Sequence, residues 1–274
     1  MPKIDLTDKP IAITGASSGI GRAAALACAR AGMPVGLFAR RHDRLEDVRA
    51  EIERAGGRAV TYAGSVDDRE ACFGFVRHVE DAFGPIYGVF ANAGYGFEKA
   101  TWSLDESELR RIFEVNVWGS VHLANAALPG MVERRAGHLL FCSSCVSKIG
   151  LPFYGAYSAT KAVQDHFARA MRHELRATGV YVSSVHPVTT STEFFERAGE
   201  RSGGRLRLQA RSGPVQTPEK VADALVRCLR RPRGEVWTSA GIRFMLAIAT
   251  AFPGLTDRAL DKRAERSGVR GGGL

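Results

Sequence analysis

The sequence predicts an α/β chain, a doubly wound parallel sheet with helices on both faces. Short apolar runs rich in β-formers alternate with longer helical stretches, and the first run enters a glycine-rich turn that opens a helix. The 274 residues, 45% hydrophobic and 24% charged, have the composition of an ordinary globule. No solenoid-length repeat or linker divides them. A single domain over 1–274 is therefore expected, with an apolar C-terminal extension at about 236–274.

Ile11-Ala12-Ile13-Thr14 is the first predicted strand, and Gly15-Ala16-Ser17-Ser18-Gly19-Ile20-Gly21 leads from it into an alanine-rich helix that stops at Gly32. Glycines at 15, 19 and 21 permit a tight turn, and free amides at the helix start offer an anion site suited to a pyrophosphate. The second strand, 35–39, ends at Arg40-Arg41. In this fold class that strand tip meets an adenosine ribose, and arginine there pairs with a 2′-phosphate, so NADP is expected in preference to NAD. Two solvated loop arginines are the alternative.

A polar helix over 45–55, a strand over 59–63, a helix over 68–83 and a strand over 86–90 follow, the last leading into Asn92-Ala93-Gly94. A long helix is predicted from Glu108 through Asn116 to Leu128, stopped by Pro129-Gly130. The fifth strand, 138–142, delivers Ser143-Ser144 to its carboxyl end, where ligands sit in open α/β sheets. A helix carrying Tyr157 and Lys161 comes next, then a sixth strand over 180–185 with its exit at His186-Pro187. Residues 199–213, rich in glycine and arginine, read as a loop.

Tyr157 and Lys161 are four apart, which stacks phenol and ammonium on one helix face. A cation beside a tyrosine stabilises the phenolate and lowers its pKa, making a usable general acid or base. The same spacing also fits a core tyrosine next to a solvated lysine, so the pair needs support from elsewhere in the chain.

The net charge of +9 is scattered, without a basic block interleaved with aromatics, so no nucleic-acid partner is expected. Neither a charged segment followed by an apolar run at the N-terminus nor a run of about 18 apolar residues is present, which points to a cytoplasmic protein. Five cysteines, an odd number without framework spacing, suit reduced thiols. Cys142 and Cys145 form a C-x-x-C with no second pair, and no metal is expected.

The motifs Thr14-Gly15-Ala16-Ser17-Ser18-Gly19-Ile20-Gly21, Asn92-Ala93-Gly94, Asn116, Ser144 and Tyr157 with Lys161 fall in one order. In this the chain resembles the short-chain dehydrogenase/reductases over roughly residues 8–195, and more loosely to about 235. The resemblance implies a Rossmann-like fold and hydride transfer between NAD(P) and a small carbonyl or alcohol. It implies that Ser144 bonds the substrate oxygen, Tyr157 passes the proton, Lys161 lowers the tyrosine pKa and holds the nicotinamide ribose, and Asn116 positions a relay water behind the lysine. Preorganised donors at Ser144 and Tyr157 suit the charge that develops on a carbonyl oxygen under hydride attack.

Cofactor contacts are expected from Gly15, Ser17, Ser18, Gly19, Ile20, Gly21, Arg40, Arg41, Asn92, Ala93, Gly94, Tyr157, Lys161, Thr190 and Thr192. Ser65 with Val66 stands where the family often has an adenine-binding aspartate, and Pro187-Val188 where it usually has Pro-Gly. NADPH-linked carbonyl reduction is the reading this supports, with NAD-linked alcohol oxidation and a non-catalytic nucleotide sensor as alternatives. A homodimer or homotetramer is expected, as in relatives. Tyr95, Phe97, Phe153, Tyr154, Phe194 and Phe195 would furnish an apolar pocket or pack as core.

The apolar run 242–252, ahead of Pro253-Gly254, is too short to span a bilayer at about 1.5 Å per residue. A helix packed over the substrate opening of its own or a neighbouring subunit is expected in preference to a peripheral membrane anchor.

Overall fold

The computed structural model describes residues 3–202 and 215–266. Seven parallel strands form one sheet in the order β3-β2-β1-β4-β5-β6-β7. They are β1 (Ile11–Thr14), β2 (Val35–Ala39), β3 (Ala59–Ala63), β4 (Gly88–Ala91), β5 (Gly137–Cys142), β6 (Val180–His186) and β7 (Glu235–Trp237). Strands β1, β4 and β5 are buried along their whole length, which is why they read as continuous apolar runs with no polar alternation.

One face of the sheet is covered by α1 (Gly19–Arg30), α2 (His42–Arg54) and α8 (Pro218–Arg230), through a core that includes Ala24, Leu45, Val48, Val221 and Leu225. The other is covered by α3 (Arg69–Phe83), α5 (Gly119–Glu133) and α6 (Gly155–Glu174), whose core includes Phe75, Leu123, Met131 and Ala168. Strand order reverses between β1 and β4, and the carboxyl ends of strands at such a switch point open a crevice for ligands.

Three expectations require correction. The fourth strand begins at Gly88, two residues late, because Tyr87 and Gly88 first bond back to Pro10 O. Helix 108–128 is in fact α4 (Glu106–Phe113), a wide π turn (Glu114–Trp118) and α5, and Pro129 lies inside α5. The helix continues past the proline because Met131 is wholly buried in the core. The 199–213 loop begins later than expected, since α7 (Glu193–Arg201) runs through Gly199; the rest of that stretch, from 203, lies outside the described residues.

The apolar run forms α9 (Ala240–Ala251) ahead of α10 (Pro253–Arg266). It rests against the short turn Cys145–Lys148 and buries only Leu246, while Phe244, Met245, Ile248 and Phe252 stay exposed. It also meets α10, where Thr256 Oγ1 donates to Ala249 O at 2.8 Å, yet most of its apolar surface stays uncovered in one chain.

Candidate active site

One cleft of about 520 Å³ runs along the carboxyl ends of the strands. It is lined by every residue expected to touch cofactor or substrate oxygen except Gly21 and Asn116. At one end lies the turn after β1. Gly15 and Gly19 have φ of +68° and +53°, a region side chains disfavour. A Cβ on Gly21 would lie 2.2 Å from Gly15 O, so the loop and helix α1 can approach only with glycine there. Thr14 Oγ1 accepts from the amides of Asn92 and Ala93 at 3.0 and 3.1 Å, and Asn92 Nδ2 donates to Thr14 O at 3.0 Å. The ends of β1 and β4 are thereby locked into a cradle that fits a dinucleotide.

Arg41, at the start of α2, reaches over this turn and donates to Ser17 Oγ at 3.3 Å and Ser18 Oγ at 3.2 Å. Arg40 and Arg41 both line the cleft. Ser65 and Val66 line it too, while Asp67 is turned away to Ser65 Oγ and Arg111. After β6, Val188 N donates to Thr238 Oγ1 at 3.4 Å, and Val188 O accepts from Thr190 Oγ1 at 2.7 Å. Val188 does not have a positive φ, so this loop makes no demand for glycine.

At the other end, Ser144 leaves β5 and Tyr157 and Lys161 stand on α6. Burial pushes the Tyr157 phenol above its usual value, reinforced by Cys142 and Cys145 and opposed by a hydrogen bond with Ser144. Lys161 is also buried, which lowers its pKa. Burial sets the direction of the phenol's shift. The Lys161 ammonium lies 5.7 Å from the Tyr157 ring centroid and donates to Cys142 O at 2.7 Å and Gln164 Oε1 at 2.9 Å. Burial thus favours the neutral phenol of Tyr157 over its phenolate.

Asn116 sits in the π turn, wholly buried. Its Oδ1 accepts from Tyr95 N at 2.9 Å, and its Nδ2 donates to Tyr95 O at 2.9 Å and Thr160 Oγ1 at 3.0 Å. Gln164 ties the Asn116 turn directly to Lys161. Gln164 Nε2 donates to Asn116 O at 2.7 Å and Ser120 Oγ at 2.6 Å, while its Oε1 accepts a hydrogen bond from Lys161 Nζ. Sequence reasoning missed Gln164, although its position one turn after Lys161 was the available signal.

Also missed was a buried group behind Ser144. His186 Nδ1 lies 3.2 Å from Ser144 O, and its Nε2 lies 3.3 Å from Asp165 Oδ1 and 2.9 Å from Ser184 Oγ. The ring stacks on Trp237 at 4.4 Å. Burial raises the Asp165 pKa, but the bonds from His186 and Lys148 outweigh it and hold the carboxyl below the usual range. One ligand atom each of Asp165, His186 and Glu235 lies within 4.8 Å of the other two. Lys148 Nζ, 2.6 Å from Asp165 and 3.4 Å from Glu235, meets that acidic charge with its own.

Of the six aromatics, Tyr95, Tyr154, Phe194 and Phe195 line the cleft. Phe194 packs on Tyr157 with centroids 5.4 Å apart. Phe97 belongs instead to a small core with Ile112 and Ala156, and Phe153 occupies a turn at φ +64°.

The family model described as short chain dehydrogenase matches residues 9–203. The ketoacyl reductase HetN of Nostoc sp. is 30% identical over 92% of this chain and 88% of its own. A glycine betaine reductase of Emericella nidulans is 32% identical over 85% of the chain, which spans only 18% of that longer protein. An alcohol dehydrogenase from Thermococcus sibiricus, solved with 5-hydroxy-NADP, superposes with a TM-score of 0.72 at 31% identity, covering 84% of this chain and 95% of that one.

Proposed function

The chain belongs to the short-chain dehydrogenase family, and from that premise we propose that it is an NADPH-linked reductase of apolar ketones or aldehydes. The observation that carries the reading is the single cleft joining Arg41 and the glycine turn at one end to Ser144, Tyr157 and Lys161 at the other. Gly15, Ser17, Ser18 and Gly19 hold the pyrophosphate, Arg40 and Arg41 the 2′-phosphate, and Lys161 the nicotinamide ribose. When bound, the cofactor supplies a hydride to the carbonyl carbon. Ser144 and the Tyr157 hydroxyl donate hydrogen bonds to the carbonyl oxygen, and Tyr157 gives up its proton to that oxygen as charge builds there.

Tyr95, Tyr154, Phe194 and Phe195 favour an apolar substrate, as does the ketoacyl reductase name of a relative. The exposed Trp118 at the start of α5 and Phe167 on α6 support self-association through these helices, which light scattering measures directly. A panel of ketones and aldehydes of graded chain length, read by loss of NADPH absorbance, tests the function. Turnover that rises with chain length supports it. Activity confined to NAD-linked alcohol oxidation refutes it.

A further inference from the structure

Three arginines converge on one carboxylate at the edge of the cleft. Glu193, the first residue of α7, receives Arg197 Nη2 at 2.7 Å, Arg41 Nη1 and Nη2 each at 3.4 Å, and Arg44 Nη1 at 3.5 Å. The same Arg41 guanidinium donates to Ser17 and Ser18 of the glycine turn. The cation best placed to read a phosphate therefore already serves a carboxylate.

The position of Glu193 is set by its neighbours. Thr192 Oγ1 caps α7 by accepting from Phe194 N at 3.3 Å, and the Thr192 methyl lies 3.0 Å from where a Cβ on Gly19 would stand. The start of α7 is thus seated on the glycine turn. A phosphate bound by Arg41 has to take those N–H donors from Glu193 or lie beside a like charge, and both effects weaken its binding. A ribose hydroxyl in the same place incurs neither. Arg197, one turn along α7, gives the displaced carboxylate a partner on its own helix.

We infer that Glu193 is a specificity-determining residue that competes with the 2′-phosphate of NADPH for Arg41 and Arg44. The inference rests on the NADPH reading above. A competitor built into the site speeds cofactor release, a step that limits turnover in many enzymes.

Calorimetric titration of the full chain with NADPH, NADH, 2′,5′-ADP and 5′-AMP tests it, using the wild type, Glu193→Gln and Glu193→Ala at one ionic strength. Loss of the charge is expected to tighten NADPH and 2′,5′-ADP about tenfold, the worth of one charge-assisted hydrogen bond, and to move NADH and 5′-AMP by less than about twofold. An unchanged or weaker Kd for NADPH in both variants overturns the inference, as does an equal gain for NADH. The two readings fail separately. A wild type that binds 2′,5′-ADP no tighter than 5′-AMP refutes the NADPH assignment itself, whereas a wild type that discriminates but is unmoved by either substitution refutes the role of Glu193 alone.

Discussion

Replacing Gln164 by leucine removes the link between the catalytic lysine and the π turn while keeping the side-chain volume close to native. Three buried hydrogen bonds are lost, to Lys161 Nζ, Asn116 O and Ser120 Oγ. The first involves a charge and is worth about 1.5–3 kcal/mol, and the two neutral ones about 1 kcal/mol each. All three partners are buried, so water cannot readily replace the amide. A destabilisation of about 3–5 kcal/mol is expected, which for a chain of this size lowers Tm by about 10 °C. The ammonium, left with Cys142 O, also gains freedom beside Tyr157, and kcat should fall about tenfold at temperatures where the variant remains folded. Thermal unfolding followed by circular dichroism, paired with steady-state rates well below Tm, measures both. A variant within about 2 °C of the wild type and with native kcat would show that Gln164 does not hold Lys161.

Two further outcomes follow from the site and the core. Alanine at both Arg40 and Arg41 should weaken NADPH by about 2–3 kcal/mol and leave NADH little changed; equal losses for the two cofactors would mean that these arginines support the loop without reading the phosphate. His138 is wholly buried, its Nε2 lies 2.8 Å from Ser183 Oγ, and burial pushes its pKa down to about 3. Its neutral form is favoured on folding, so its contribution is fully present above about pH 6.5 and is lost toward pH 3 at about 1.4 kcal/mol per unit, as the unfolded chain takes up the proton. Tm measured from pH 7 to pH 4 should fall less steeply in His138→Gln than in the wild type, and parallel slopes would assign the acid lability to other groups.

The parts legible in sequence were those written in local pattern. The β1 run, Gly15-Ala16-Ser17-Ser18-Gly19-Ile20-Gly21 and the alanine-rich start of α1 each carry their own conformational reason, and the strand apolarity of β2 and β5 follows from burial on both faces. Helix α8 was legible but passed over: Thr217 caps it, Pro218 opens it, and Val221, Leu225 and Leu229 repeat at a spacing of four. Strand β7, three residues long, has no pattern of its own and exists because it pairs with β6. The π turn at Asn116 depends on bonds to Tyr95, Thr160 and Gln164, far apart in sequence, and no window around Asn116 contains them. Glu193 likewise became part of the site through arginines about 150 residues before it, at a separation that only folding reveals. The upward shift of Tyr157 was hidden for a related reason, because it comes from burial, a tertiary property that local spacing does not contain.

The central claim is that Tyr157 donates the proton in carbonyl reduction, and Tyr157→Phe tests it most directly. The substitution removes one hydroxyl from the cleft and leaves the glycine turn and arginines untouched. With the best substrate of the carbonyl panel and saturating NADPH, turnover is expected to fall a hundredfold or more, by roughly the worth of a positioned acid, while the NADPH Kd stays within about twofold. A phenylalanine variant that keeps most of its turnover would contradict the account, since another group would then have to supply the proton.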